Sequence, residues 1–574
     1  MKKMREKIQS LFQRFVSFVL GKPRPGTGSG PRPWLDHYDK DVPPTIHIPE
    51  ITLNELFQRS VDYHRQQKAF VYYGTQFTYG ELEKLVTGAA AGLLQLGLRK
   101  GDRLALLLPN TPQYIIAYWA ALRIGLIVAP INPLLSPPEV ETQLKLARPR
   151  AILILDQLYN RNKEAISHAG ILNVIHTAVD SFMPSVTRFV YFIKSGFGSN
   201  EKNAWSHLLS FDRLYVANAT VDSQHVRPDD GAVLLFTGGV TGSPKAVFLQ
   251  HRQLVANVMQ TRMWMGEMRD GQEIILGVLP FFHSYGMTAC HHLAVQLGAM
   301  LVLEPRFKVQ RIIRLCSRYR VTIFPGVPTM YKAIARALAE KGRRLKQISV
   351  CISGGAPLSA TLKREFEAVT DSRLVEGYGL TEASPLTHCN PLKGKNRAGS
   401  IGLPCPNTDA RIVDLQTGQP LPANETGELQ VKGPQVMTGY WQNEKATAEV
   451  LQQGWLSTGD IAQMDEDGFF YLVDRKKDLI LSGGLNVYPS EIEKVLNQHP
   501  AVDDCAVIGV PDDFWGEAAK AFVVLYPGAH VTADDLNAFC KARLAAYKRP
   551  KHYIFVETLP RNFIGKIIRR QLHV

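Results

Sequence analysis

The chain has 574 residues, too many for one hydrophobic core of ordinary size, so two or more domains are expected. Hydrophobic residues make up 45% and charged residues 21%, globular proportions that exclude wholesale disorder. The net charge of +14 would attract nucleic acid, anionic lipid or anionic small molecules, but no nucleic-acid-binding motif accompanies it, so nucleic acid is not expected as a partner. The 7 cysteines are odd in number and lack metal-ligand spacing, the pattern of free, buried thiols in a reducing compartment.

At the N-terminus, Met4, Ile8, Leu11, Phe12, Phe15, Val16 and Val19 fall at helical spacing opposite Lys3, Lys7, Ser10, Arg14 and Ser17. Such a helix suits the headgroup region of an anionic membrane. A helix docked on the protein's own body and an organellar presequence are the alternatives. A secretory signal fits poorly, because Arg14 interrupts the apolar run and no A-x-A site follows. The anchor reading places the protein in the cytoplasm, peripheral on the inner face of a membrane. Residues 21–33, rich in Gly and Pro, read as a flexible tether.

From about Ile51 strand-like and helix-like stretches alternate, as in RLALLLPN, the apolar helix after Thr111, GLIVAPIN and AILIL. The alternation implies parallel sheets covered by helices, an α/β fold. The run Tyr114–Pro130 contains Arg123 and is short of the ~20 apolar residues of a membrane span; it reads as a buried core helix. Residues 181–205 break the pattern with mixed aromatic, basic and glycine residues. They are expected to form a covered loop, with a second membrane-touching surface as the alternative.

The segment 233–247, VLLFTGGVTGSPKAV, carries an apolar strand into Thr237, Gly238, Gly239, Thr241, Gly242 and Lys245. Glycines let backbone N–H groups approach an anion, and hydroxyls and a lysine add donors and charge, so the loop suits a polyphosphate. It is not the Walker pattern. Taken alone it is equally a tight turn between strands.

This loop resembles that of adenylate-forming enzymes: acyl-CoA synthetases, luciferases and peptide-synthetase adenylation domains. The usual form is T-S/G-G-T-T-G-x-P-K-G; here Val240 stands for a hydroxyl residue and Ala246 for the last glycine. Further motifs follow in the family's order: LPFFHSYG, SGGAPL, EGYGLTE, WLSTGD, DRKKDLILSGGLNVYPSEIE and LPRNFIGKIIRR. The resemblance implies a large adenylate-forming domain over 34–475 and a small mobile α/β lid over 476–574. It implies that His283 and Gly326 line the acyl pocket and that Gly354, Gly355, Ala356 and Pro357 pack on adenine. Tyr378, followed by Gly379, would stack on the base. Thr381 would bond the α-phosphate, Glu382 would hold Mg²⁺, and Asp460 and Arg475 would hold the ribose. Lys477 would be the hinge, Gly483 and Gly484 would pass the pantetheine arm of coenzyme A, and Lys566 would be the mobile adenylation lysine. Individually each string has a structural reading: a core histidine, a turn, a helix start, a solvated Arg-Lys-Lys-Asp bend. A basic C-terminal helix accounts for Arg569 and Arg570.

The phosphate loop, the entry segment WLDHYDKDVPPTIHIP and DRKKDLI look like those of bacterial long-chain fatty acid–CoA ligases. That likeness implies ATP, Mg²⁺ and coenzyme A, with a fatty carboxylate as substrate. Loading of a carrier-protein thiol and a non-catalytic lipid-binding role are the alternatives, and a homodimer is left open.

Overall fold

The computed structural model describes residues 32–195, 208–221, 225–237, 244–482, 485–512, 514–561 and 565–572. The N-terminal amphipathic segment, nearly all of the tether, the loop residues Gly238, Gly239, Val240, Thr241 and Gly242, and the pair Gly483 and Gly484 lie outside them.

The first two of the sheets among the described residues are mainly parallel. One runs Leu403–Pro404, Leu386–Cys389, Arg373–Gly379, Val350–Ser353, Ile323–Gly326, Ile274–Gly277, Met300–Leu303, Lys68–Tyr72 and Thr75–Thr78. The second runs Gly439–Tyr440, Lys245–Gln250, Gly231–Thr237, Ile127–Pro130, Arg103–Leu107, Ala151–Leu155, Asn173–Thr177 and Leu209–Ser210. Their central strands, such as AILIL at 151–155, are buried along their whole length, as strands covered on both faces must be. A third, antiparallel sheet joins Asp409–Val413, Thr426–Lys432 and Trp455–Met464, and Phe470–Arg475 pairs with the last of these. These three sheets share one hydrophobic core, which extends from Trp34 to Phe470.

A fourth sheet of Leu485–Val487, Ile480–Ser482, Gly516–Leu525 and Val502–Asp512 has a core of its own, including Ile480, Val507, Val523 and Leu536. The C-terminal part is therefore a separate folding unit, as separate cores imply. It is tied to the body by local contacts. The Ser490 backbone N–H donates to Asp474 Oδ2 at 2.8 Å; within the C-terminal unit, Arg569 reaches Asp478 at 3.3 Å and Glu493 at 2.7 Å. Arg569 is thus a clasp on a short 3₁₀ turn, Arg569–Leu572, rather than part of a solvated basic helix. Two opposed carboxylates on neighbouring elements draw the guanidinium inward.

Two further expectations need correction. The run Tyr114–Pro130 is not one helix. A buried helix, Pro112–Arg123, stops there, and the chain turns at Gly125 (φ 73°) into the strand Ile127–Pro130. Residues 185–195 are a helix, Ser185–Ser195, not a loop. No helix among the described residues is long and apolar enough to cross a membrane. All seven cysteines are free and buried.

Candidate active site

The carboxyl ends of parallel strands, where a doubly wound sheet opens a crevice, carry most of the expected site residues. Thr237 ends its strand and its Oγ1 donates to the Lys245 carbonyl across the hairpin at 3.4 Å. Gly326 and Ser353 end two adjacent strands, and the Gly354 N–H donates to the Gly326 carbonyl at 3.1 Å. Gly326 also lies against the Tyr331 ring, so its small size is explained by packing. Gly355 and Pro357 are exposed and Ala356 half-buried, on the turn above these strands. The carboxyl of Glu376 holds that turn, its Oε2 accepting the Leu358 N–H at 3.1 Å. Burial pushes the Glu376 carboxyl up to about 8, because its charged form loses water without gaining a cation.

Tyr378 and Gly379 end the next strand, Arg373–Gly379. A Cβ on Gly379 would sit 2.0 Å from the Pro385 carbonyl oxygen, so only glycine allows the strand to turn into Thr381–Ala383. The Tyr378 hydroxyl donates to Asp460 Oδ2 at 2.5 Å. Asp460, 3% exposed, sits in the strand Trp455–Met464 and receives Arg475 Nε on its other oxygen at 2.6 Å. Strand pairing sets this contact directly, since Asp460 and Arg475 are register partners. One buried carboxylate therefore holds a tyrosine and an arginine at once.

Glu382 lies one short turn beyond. Burial raises its carboxyl above the usual range, opposed by its own backbone N–H and by the Tyr440 hydroxyl, which donates to Oε1 at 2.9 Å. Lys245 Nζ lies 4.8 Å from the centroid of the same Tyr440 ring. Tyr440 thus joins the lysine of the phosphate loop to the expected metal ligand. The sequence reading passed over it, because a Gly-Tyr pair in VMTGYW has no local signature; its place comes from pairing of Gly439–Tyr440 with the strand Lys245–Gln250. A cavity of ≈ 530 Å³ opens beside Glu382 and is lined also by Tyr440, Thr458, Gly459 and Lys476.

His283 caps the short helix Ser284–Gly286, its Nδ1 accepting the Tyr285 N–H at 3.2 Å. Burial lowers its imidazole to about 4, so it is neutral near pH 7.

Lys566 arrives from the C-terminal unit. Its ammonium is pushed down to about 8, first by burial and then by Arg475, with Lys477 adding to the effect and Asp460 and Asp478 opposing it. Those neighbours place Lys566 near the Asp460–Arg475 pair. The residue before it, Gly565 (φ 83°), comes so close to Thr329 of the large unit that a Cβ would lie 2.8 Å from its methyl group. Lys477 sits on the short turn Lys476–Asp478 between the units, and burial lowers its pKa, with Arg475 adding to the shift. The structure therefore brings Tyr378, Glu382, Asp460, Arg475 and Lys566 into one neighbourhood.

Comparison with known proteins gives this arrangement its place. Residues 57–441 match the AMP-binding enzyme family and residues 491–566 its C-terminal domain. The chain belongs to the AMP-binding enzyme family. Among similar AMP-binding enzymes is a long-chain-fatty-acid–CoA ligase of Bacillus subtilis, 40% identical over 94% of this chain and 97% of its own. The ligase of the same name from Salmonella typhimurium is 38% identical over the same shares. ATP-bound MatB from Rhodopseudomonas palustris has a similar structure, with TM-score 0.76 and 29% identity over 91% of this chain and 98% of that one.

Proposed function

We infer that this AMP-binding enzyme is an ATP-dependent fatty acid–CoA ligase, acting on long-chain acids. The observation that carries the reading is the approach of Lys566, from a unit with its own core, to Asp460 and Arg475, with the adjoining Gly565 against Thr329 of the large unit. Such an approach is what transfer of an acid to a nucleotide phosphorus requires.

A carboxylate is a poor acyl donor, because its leaving group would be oxide. Attack of a carboxylate oxygen on the α-phosphorus of ATP, with pyrophosphate leaving, gives an acyl-adenylate. The thiolate of coenzyme A then forms the thioester bond and AMP departs. In this scheme Asp460 accepts the ribose hydroxyls while Tyr378 and Arg475 fix its two oxygens. The turn Gly354–Pro357, held from below by Glu376, receives the adenine. Lys566 and Thr381 stabilise charge that builds on the α-phosphate. Thr237, Lys245 and the loop between them hold the outer phosphates. His283, neutral, sits at the end of the acyl pocket and contributes shape rather than charge.

The residues present fit Mg²⁺. Glu382 is a desolvated carboxylate whose burial calls for a cation. Among the described residues no group of three or more His, Cys, Asp or Glu side chains could hold a metal ion. A cation at Glu382 would take its remaining ligands from phosphates and water, the habit of Mg²⁺. When bound it supplies charge compensation for the triphosphate.

We assign the units to residues 34–475 and 476–574, with Lys477 as the hinge and Gly483–Gly484 as the coenzyme A loop. The N-terminal basic amphipathic segment is read as an anchor that keeps the enzyme peripheral on the cytoplasmic face of an anionic membrane. The test of the function is AMP release measured with a panel of straight-chain carboxylates of increasing length, with and without coenzyme A. Coenzyme A-dependent release that is highest with long acids supports the reading. Release with none of them, or with an acyl carrier protein in place of coenzyme A, overturns it.

A further inference from the structure

The helix Ser185–Ser195 is fixed to the body by the segment that precedes it. The Tyr72 hydroxyl donates to the Val179 carbonyl at 2.9 Å, and Phe182 packs on Phe77 with ring centroids 5.8 Å apart. Of the helix's first half only Thr187 turns inward. Val186, Phe189 and Val190 are 77%, 64% and 44% exposed, a contiguous apolar face that a single surface position would not make. Beside it lies the helix Val309–Tyr319. A crevice of ≈ 210 Å³ between the two is lined by Thr187 on one side and by Arg311, Leu315 and Arg318 on the other.

The charge of this face is of one sign. Neither helix contains an acidic residue: the first presents Arg188, the second Arg311, Arg314 and Arg318. Arg314 and Arg318 are exposed. The neighbouring carboxylates are already engaged, Asp180 by Arg188 at 3.2 Å and Glu304 by Arg311. This pattern selects among occupants. A second copy of the same face would set arginines against arginines. The chain's own N-terminal segment, with seven Lys and Arg against Glu6 in residues 1–25, would be repelled in the same way. Apolar side chains flanked by cations fit an anionic lipid surface, where rings and branched chains enter the headgroup layer and arginines meet phosphate.

We propose that the helix Ser185–Ser195, together with the arginine side of Val309–Tyr319, docks on an anionic lipid bilayer, with Val186 and Phe189 in the headgroup region. The docking stands apart from the N-terminal anchor and from the ligase activity, and its test separates all three. Sedimentation with mixed phosphatidylglycerol–phosphatidylcholine vesicles is measured for the full chain and for a chain lacking residues 1–31. Each is made unmodified, as Phe189→Glu and as Arg318→Glu. AMP release with a soluble short-chain acid reports that the variants are folded. In both chains Phe189→Glu is expected to weaken binding about tenfold or more. Arg318→Glu is expected to weaken it about fivefold per unit of charge, and high salt to weaken it further. Trp placed by Val186→Trp is expected to shift its emission to the blue when vesicles are added. Unaltered binding of both glutamate variants in both chains overturns the proposal. So does an unshifted Trp emission, equal binding to phosphatidylcholine alone, or binding that arises only after residues 1–31 are removed.

Discussion

Replacing Lys566 by alanine tests the central geometry. The ammonium lies near Asp460 and Arg475, and burial and the cationic neighbours Arg475 and Lys477 bring it down to about 8. Its removal takes away one preorganised charge at the α-phosphate, a loss of about 10²–10³-fold in adenylation. The same environment makes a second, independent forecast. With a pKa near 8, Lys566 is mostly charged at pH 7 and mostly neutral at pH 9, so kcat/KM for adenylation should fall about tenfold between them. Bound triphosphate favours the ammonium, so the corresponding fall in kcat should begin at higher pH. Lys566→Arg keeps its charge throughout and should lose the basic limb whatever its absolute rate. Two assays are paired: pyrophosphate release from ATP and fatty acid, and acyl-CoA formation from synthetic acyl-adenylate. Lys566→Ala should cripple the first and spare the second, because the nucleotide is already esterified. Equal loss in both, or a basic limb that persists in the arginine variant, would refute the assignment.

Asp460→Ala should impair both half-reactions by about 2–4 kcal/mol, since it strands Arg475 and Tyr378 and removes the ribose acceptor; normal turnover would show the site to be misread. Tyr440→Phe removes the hydroxyl on Glu382 but keeps the ring under Lys245. It should raise the Mg²⁺ concentration needed for half-maximal pyrophosphate release and leave thioester formation from acyl-adenylate intact, and an unchanged Mg²⁺ requirement counts against it. Glu376→Gln replaces a carboxyl whose folded pKa, about 8, lies above its ordinary value of 4.5. Such a group favours folding below pH 4.5, and that stability is lost progressively as pH rises from 4.5 to about 8. The glutamine variant should therefore gain thermal stability over the parent at pH 8 but not at pH 4.5, and a pH-independent difference in Tm would contradict this. Deleting residues 1–25 should weaken sedimentation with anionic vesicles, more at low salt than at high; undiminished binding would remove the anchor.

Much of the chemistry was legible in the chain itself. The strand-to-glycine loop ending at Lys245, the EGYGLTE string and the TGD and DRKKD motifs are local patterns, and backbone requirements at Gly379 and strand pairing at Asp460 and Arg475 act over short distances. The alternating strands and helices likewise determined an α/β class, because side-chain period and burial are written residue by residue. Contacts between distant segments were not legible. Tyr378 meets Asp460 82 residues away, and Tyr440 reaches Glu382 across 58; no local periodicity encodes either. The helix at 185–195 was missed because Pro184 before it and glycines after it punctuate the sequence like a loop, while Val186, Phe189 and Val190 face outward. Arg569 read as surface charge until the fold set Asp478 and Glu493 on either side. The shifts at Glu376, Glu382 and Lys566 belong wholly to the tertiary structure. A side chain brings its own pKa, but desolvation and the nearest charges are fixed only when separate segments close around it.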